Sequence, residues 1–170
     1  MTPPPESCGV NRGILRQELG YSEAEEGVLT IARHYFNTFA CPERHGWIAA
    51  IAAALQDFDD AHGPEVAVAV LAAVQAMRRT RYSTFRFNNP DCAVCARYVT
   101  PHERAFMASL RAVERGRTAD AAAHAGLLCE GNDVRGFLSA LDVLAARALP
   151  ADGTQSHPSG TRSPAEVAGV

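Results

Sequence analysis

The chain has 170 residues, 47% of them apolar, and a formal net charge of -3, an ordinary globular composition that excludes fibrous, collagen-like and wholly disordered chains. It opens on prolines and an acid (Pro3, Pro4, Pro5, Glu6) rather than a basic region ahead of an apolar run, and its Ala/Val-rich stretch from Val66 to Met77 is shorter than a bilayer requires. A cytoplasmic protein without membrane insertion is therefore the expectation, with its oligomeric state left open.

Residues 1–21 carry Pro and Gly with only a brief apolar run at Ile14 and Leu15, and are expected to form a flexible arm. Ser22 and Glu25 then make an S-x-x-E capping box ahead of an apolar stripe, Val28, Ile31, Ala32, Tyr35, Phe36 and Phe39, which predicts the first helix. Pro42 suits the first turn of a second helix, in which Trp47, Ile48, Ile51, Leu55 and Phe58 repeat at three and four until His62 and Gly63 stop it. Pro64 opens a third. Its alternation of Val and Ala over 66–70 admits a strand, but the alanine density and the shared face of Val66, Val70, Val74 and Met77 favour helix.

The segment from Arg81 to Val99 breaks the helical period with Asn88, Asn89 and Pro90 and needs some other source of order. Thr100, Pro101 and Glu103 supply a cap, a first-turn proline and the matching acid for a fourth helix running to about Gly116. A short Ala-rich fifth follows from Thr118 to about Cys129. Asn132 is placed to cap a sixth, whose stripe is Val134, Phe137, Leu138, Leu141, Leu144 and Ala145. The reading is an all-α compact bundle of about six helices over residues 22–149. One three-helix group spans 22–81 and another 101–149, joined by a cysteine-bearing loop at 82–100, with a disordered tail at 150–170.

Five cysteines in a chain with no visible export signal point away from a disulfide framework. Cys92 and Cys95 form a C-x-x-C pair, a spacing that lets two thiolates reach one ion. The expected metal set is Cys92, Cys95, Cys129 and Cys41, with His102 or His124 as substitutes for either distant cysteine. Zinc is preferred and an iron–sulfur cluster is the alternative, since four thiolates suit both. The competing reading is that Cys41 and Cys129 only fill core sites. A thioredoxin-like dithiol is disfavoured because that motif works after a strand in an α/β setting.

All sixteen basic residues are arginine, which GC-rich coding explains but which also suits paired recognition of phosphate or carboxylate. They concentrate from Arg78 to Arg117, interleaved with Tyr82, Phe85, Phe87 and Tyr98, and Arg78, Arg79, Arg81 and Arg86 are the candidate contacts for a protein or nucleic-acid partner. Against nucleic acid stands the net acidity of the chain. Thr118 to Leu138 has the outline of a helix-turn-helix, yet an ordinary helical hairpin describes it better.

Phosphate-binding glycine loops, a G-x-S-x-G elbow and an H-E-x-x-H pair are all missing from the sequence. The remaining enzyme candidate is the cluster holding Asp57, Asp60 and His62, read as a hard-cation or proton-transfer site. Together these features predict a non-enzymatic, metal-binding cytoplasmic regulator or adaptor with an arginine-rich contact segment. An iron–sulfur redox sensor or electron carrier and an Asp/His enzyme are the alternatives.

Overall fold

The computed structural model describes residues 13–149. Five α-helices carry the fold: α1 (Glu23–Ala40), α2 (Gly46–Thr80), α3 (Pro101–Glu114), α4 (Thr118–Leu128) and α5 (Arg135–Ala148). Short strands β1 (Ile14–Leu15) and β2 (Tyr98–Val99) pair antiparallel, Ile14 opposite Val99 and Leu15 opposite Tyr98. The all-α reading holds. No helix among the described residues is long and apolar enough to cross a membrane.

Both capping boxes form as the sequence predicts. The Ser22 and Thr100 hydroxyls accept the amides of Glu25 and Glu103, whose carboxylates accept the cap amides in return. Helix α1 thereby starts in phase to bury Val28, Leu29, Ile31, Ala32, Tyr35 and Phe36.

The second and third predicted helices join into one element with a break at Asp59, four residues earlier than Gly63. Asp59 takes φ 65° and ψ 172°, and its Oδ1 accepts the amides of Ala61 at 2.8 Å and His62 at 2.9 Å. Its carboxylate thus caps the second half of α2, a role that competes successfully with continuing the first half. Gly63 serves packing instead: a Cβ there would lie 2.7 Å from the Ala54 carbonyl oxygen. The second half buries Val66, Val70, Val74 and Met77, the face expected of it. The first half differs, burying Ala50 and Ala54 while the Trp47, Ile48, Ile51 and Leu55 stripe stays exposed.

The two helical groups share one core rather than being linked only by the loop. Helix α5 packs against α2 from the first group and against α3 from the second, while α4 packs on α3. Phe137, Leu141 and Leu144 of α5 are fully buried in it. Asn132 does not cap α5; its Nδ2 donates to the carbonyls of Thr80 at 2.7 Å and Cys129 at 3.0 Å, closing the ends of α2 and α4. Helix α5 starts at Arg135 instead, whose amide donates to Asp133 Oδ1 at 3.0 Å.

Order in the segment between α2 and α3 comes from a buried ion pair. Arg33 on α1 and Glu103 on α3 have side chains 1% and 0% exposed, with Nε and Oε1 2.7 Å apart. Arg33 also donates to the Ala96 carbonyl at 2.8 Å and to the Tyr98 carbonyl. Glu103 accepts the amides of Asn88 at 3.1 Å and Thr100 at 2.7 Å. Asn88 Nδ2 reaches the Tyr98 carbonyl at 2.7 Å, and the Thr100 hydroxyl reaches the Arg86 carbonyl at 2.7 Å.

Residues 13–21, expected as part of a flexible arm, are placed as well. Beyond the β1–β2 pairing, Arg16 binds the Glu26 carboxylate and the Thr30 hydroxyl, and Arg111 of α3 donates to Gly20 O at 2.6 Å while gripping Glu25. The rest of that arm and the 150–170 tail lie outside the described residues.

Because Arg33 and Glu103 are buried together, removing one charge strands the other. Arg33→Met is expected to lower unfolding free energy in urea by about 3–5 kcal/mol. Adding Glu103→Leu is expected to restore little of it, since the Asn88 and Thr100 amides then lose their acceptor.

Candidate functional site

The four arginines proposed as contacts divide into two kinds. Arg81 is structural: its side chain is 4% exposed, donates to the Leu128 carbonyl and to Ser83 Oγ at 2.9 Å, and pairs with Glu130 at 3.4 Å. Arg78, Arg79 and Arg86 are exposed, and none has a carboxylate in ion-pair reach among the described residues. Arg78 lies over the Phe39 ring, 3.7 Å from its centroid, and is steadied by Gln75 Oε1 at 2.9 Å.

Beside these arginines the end of α1 and the 81–87 segment enclose a concavity of about 280 Å³, lined by Phe36, Phe39, Arg78, Thr84, Phe85 and Phe87 among others. Phe36 stacks on Phe85 with centroids 4.2 Å apart, and Phe87 tilts against Phe36 at 5.7 Å. His102 continues the cluster at 5.4 Å from Phe85. Its Nδ1 accepts the Arg86 amide at 2.9 Å. Burial, then Arg81 and Arg86, push its pKa down, so the neutral ring that accepts this bond is favoured.

Glu130 fixes the rim of the concavity. Ser83 Oγ donates to its carboxylate, as do the amides of Tyr82 at 2.8 Å and Ser83 at 3.1 Å. Those hydrogen bonds, with Arg81 adding attraction, hold the carboxyl down at about 2. Tyr82, at the crest of this turn, is 91% exposed.

Cys92 and Cys95 do come together in one turn. The Cys95 amide points at Cys92 Sγ at 3.4 Å, and the Ala96 amide donates to the Cys92 carbonyl at 2.8 Å. The wider metal set is not assembled: among the described residues, no group of three or more His, Cys, Asp and Glu side chains is placed to hold an ion. Cys129 is fully buried at the C-cap of α4, where burial pushes its thiol up against an opposing contact with Thr80. Cys41 caps α1, His124 sits on α4, and His102 already uses Nδ1.

Asp57, Asp60 and His62 are not gathered into a cation site either. The His62 ring meets Asp59 at 3.2 Å, inside the cap described above. Asp57 instead borders a cleft of about 710 Å³ between α1 and α2, along with Arg16, Glu23, Thr30 and His34. Burial lowers the His34 pKa, and its Nδ1 lacks a hydrogen-bond partner.

Residues the sequence does not assign to the arginine face are Phe39, read only as part of the α1 stripe, Glu130, and His102, read only as a substitute metal ligand. The first had a signal, since Phe39 ends the α1 stripe where that helix leaves the core. The other two act through a turn and a backbone amide that no spacing rule announces. Compared with known protein families, curated proteins and solved structures, the chain matches none.

Two expectations separate structural from available arginines. Arg81→Ala leaves the Leu128 carbonyl and Glu130 without their cation and is expected to lower stability by about 1–3 kcal/mol, with Arg78→Ala near neutral in the same urea titration. Glu130 has its folded pKa depressed from 4.5 to about 2. Its contribution is therefore complete above pH 4.5 and lost as pH falls toward about 2. The unfolding difference between wild type and Glu130→Gln is expected to be constant near neutrality and to shrink across that acidic window.

Proposed function

We propose that the protein is a non-enzymatic cytoplasmic adaptor that binds an acidic protein segment at the Arg78, Arg79 and Arg86 face. One observation carries this reading: Arg78, exposed and without a carboxylate partner, lines an aromatic concavity, and Arg79 and Arg86, exposed and likewise without one, adjoin its lining residues Arg78, Phe85 and Phe87 in the chain. An arginine on a surface normally finds an acid or water, and three together raise the local potential for an anion. The concavity has room for one apolar or aromatic side chain beside that anion. Ring faces favour a peptide over single-stranded nucleic acid, because Phe36 covers one face of Phe85 and Arg78 covers Phe39, which takes up surface that bases would stack on.

Fluorescence anisotropy tests it with labelled peptides holding one Phe or Leu among glutamates, alongside a labelled oligothymidine. Peptide binding that weakens with salt and is lost in Arg78→Ala/Arg79→Ala/Arg86→Ala, with folding retained, is the expected result. Oligothymidine binding through the same arginines would replace the acidic segment with nucleic acid. Binding of neither would remove the reading.

The geometry of the Cys92–Cys95 turn supports a second reading, a bound zinc ion or, as its alternative, an iron–sulfur cluster. The Cys95 amide aimed at Cys92 Sγ holds both cysteines in one tight turn, the arrangement from which a C-x-x-C pair reaches one ion. Two thiolates make half of a closed tetrahedral site, so further ligands are required beyond the groups assembled here. Elemental analysis with a visible spectrum on anaerobically purified protein is expected to give colourless, stoichiometric zinc that Cys92→Ser/Cys95→Ser abolishes. Iron with visible absorption would install the cluster, and metal-free protein would remove this reading.

A further inference from the structure

The concavity beside the arginine face combines four rings, Phe36, Phe39, Phe85 and Phe87, with the polar groups of Arg78, Arg81 and Thr84. Arg81 and Glu130 offset one another, 3.4 Å apart. The uncompensated charge at the concavity is therefore that of Arg78, which has no carboxylate in ion-pair reach among the described residues. Of its donors only Nη1 has an acceptor there, Gln75 Oε1 at 2.9 Å. Arg81 adds an unmet donor rather than a charge. Its side chain is 4% exposed, Nη1 and Nη2 hold the Leu128 carbonyl, Ser83 and Glu130, and Nε is buried without a hydrogen-bond partner. A buried donor left unpaired is costly, and one belonging to a residue that lines a concavity marks a place for an acceptor.

A single uncompensated positive charge selects a monoanion. One carboxylate matches Arg78 in charge, and its two oxygens match a guanidinium edge, whereas a phosphate dianion would bring charge that nothing lining the concavity balances. Size narrows the choice further. The space of about 280 Å³ falls below the range of about 300–1,000 Å³ that drug-sized ligands occupy, so it takes one residue. Arg78 and the rings line the same small space, and the carboxylate and the apolar group must then leave one residue. An internal glutamate does not meet this condition, because its apolar neighbour would have to enter as a second side chain. At a chain terminus the α-carboxylate and the side chain share one Cα.

We propose that the occupant is the C-terminal residue of the acidic segment, a Phe or Leu whose α-carboxylate pairs with Arg78 and whose side chain lies against Phe39, Phe85 and Phe87. Arg79 and Arg86, which do not line the concavity, draw the acids that precede it. Capture of a terminal carboxylate is a recurring mode of peptide recognition. The inference rests on the adaptor reading of the same face and adds to it which residue of the partner is recognised.

Anisotropy of two N-terminally labelled peptides on the full chain tests it. One ends in Phe with a free carboxylate after a run of glutamates. The other ends in Phe amide and carries one more glutamate, so that the net charges are equal. The free acid is expected to bind about tenfold more tightly or better. Arg78→Gln is expected to bring the two peptides level, whereas Arg79→Gln/Arg86→Gln weakens both and keeps their ratio, with helical circular dichroism unchanged in each variant. Equal binding of both peptides by wild type, still lost in Arg78→Ala/Arg79→Ala/Arg86→Ala, overturns the terminal-residue proposal and leaves the adaptor reading standing. A ratio that survives in folded Arg78→Gln also overturns the proposal, and binding of neither peptide by wild type removes both readings. Should Arg78→Gln fail to fold, the acid-to-amide ratio of wild type decides alone.

Discussion

The buried contact between Arg33 and Glu103 is the constraint on which the arrangement of this protein rests. It joins α1 to α3 across the chain, and each partner uses its remaining hydrogen-bonding capacity on the irregular segment between α2 and α3. A charged pair out of water is tolerated only when its donors and acceptors are satisfied. Here that requirement is met by backbone, so the ion pair dictates the path of the chain from Asn88 to Thr100. The β1–β2 pairing and the Cys92–Cys95 turn are both carried on that path.

Once the segment is fixed, the arginine face follows from it. Phe85 and Phe87 turn in against Phe36 because Asn88, immediately after them, is tied to Glu103. Arg81 is drawn under the turn to serve Leu128 and Glu130, which binds α2 to the α4–α5 connection. Arg78, Arg79 and Arg86 are left outside. Four arginines close in sequence thus acquire different roles from their partners, although their chemistry is identical.

Helix positions were legible in the sequence where a local rule decides them. The Ser22 and Thr100 capping boxes, and the Val66 to Met77 and Phe137 to Leu144 faces, depend on neighbours three or four residues away. Contacts across long separations were not legible. Arg33 pairs with a residue 70 positions on, so no local rule reveals the source of order that the segment from Arg81 to Val99 needs. The Trp47 to Leu55 stripe misled for a related reason: periodicity finds a helix and its apolar side, but not whether a neighbouring helix comes too close for large residues to fit. At Asp59 and Asn132 the ambiguity was which of two backbone ends a polar side chain would cap, and tertiary placement decided both. Of the candidate site, the sequence located the arginine-rich region and the close cysteine pair, but not the division of the arginines or the concavity beside them.

The Arg33–Glu103 pair orders the segment joining the two helical groups, whether or not the close cysteines hold a metal. Native-state hydrogen exchange on chelator-treated, metal-free protein tests it at the Asn88 and Thr100 amides, which donate directly to Glu103. Slow exchange of both in metal-free wild type, close to that of the α3 core, is expected, with a marked acceleration in Arg33→Met. Rapid exchange of both amides in metal-free wild type, slowed only when metal is restored, would contradict it.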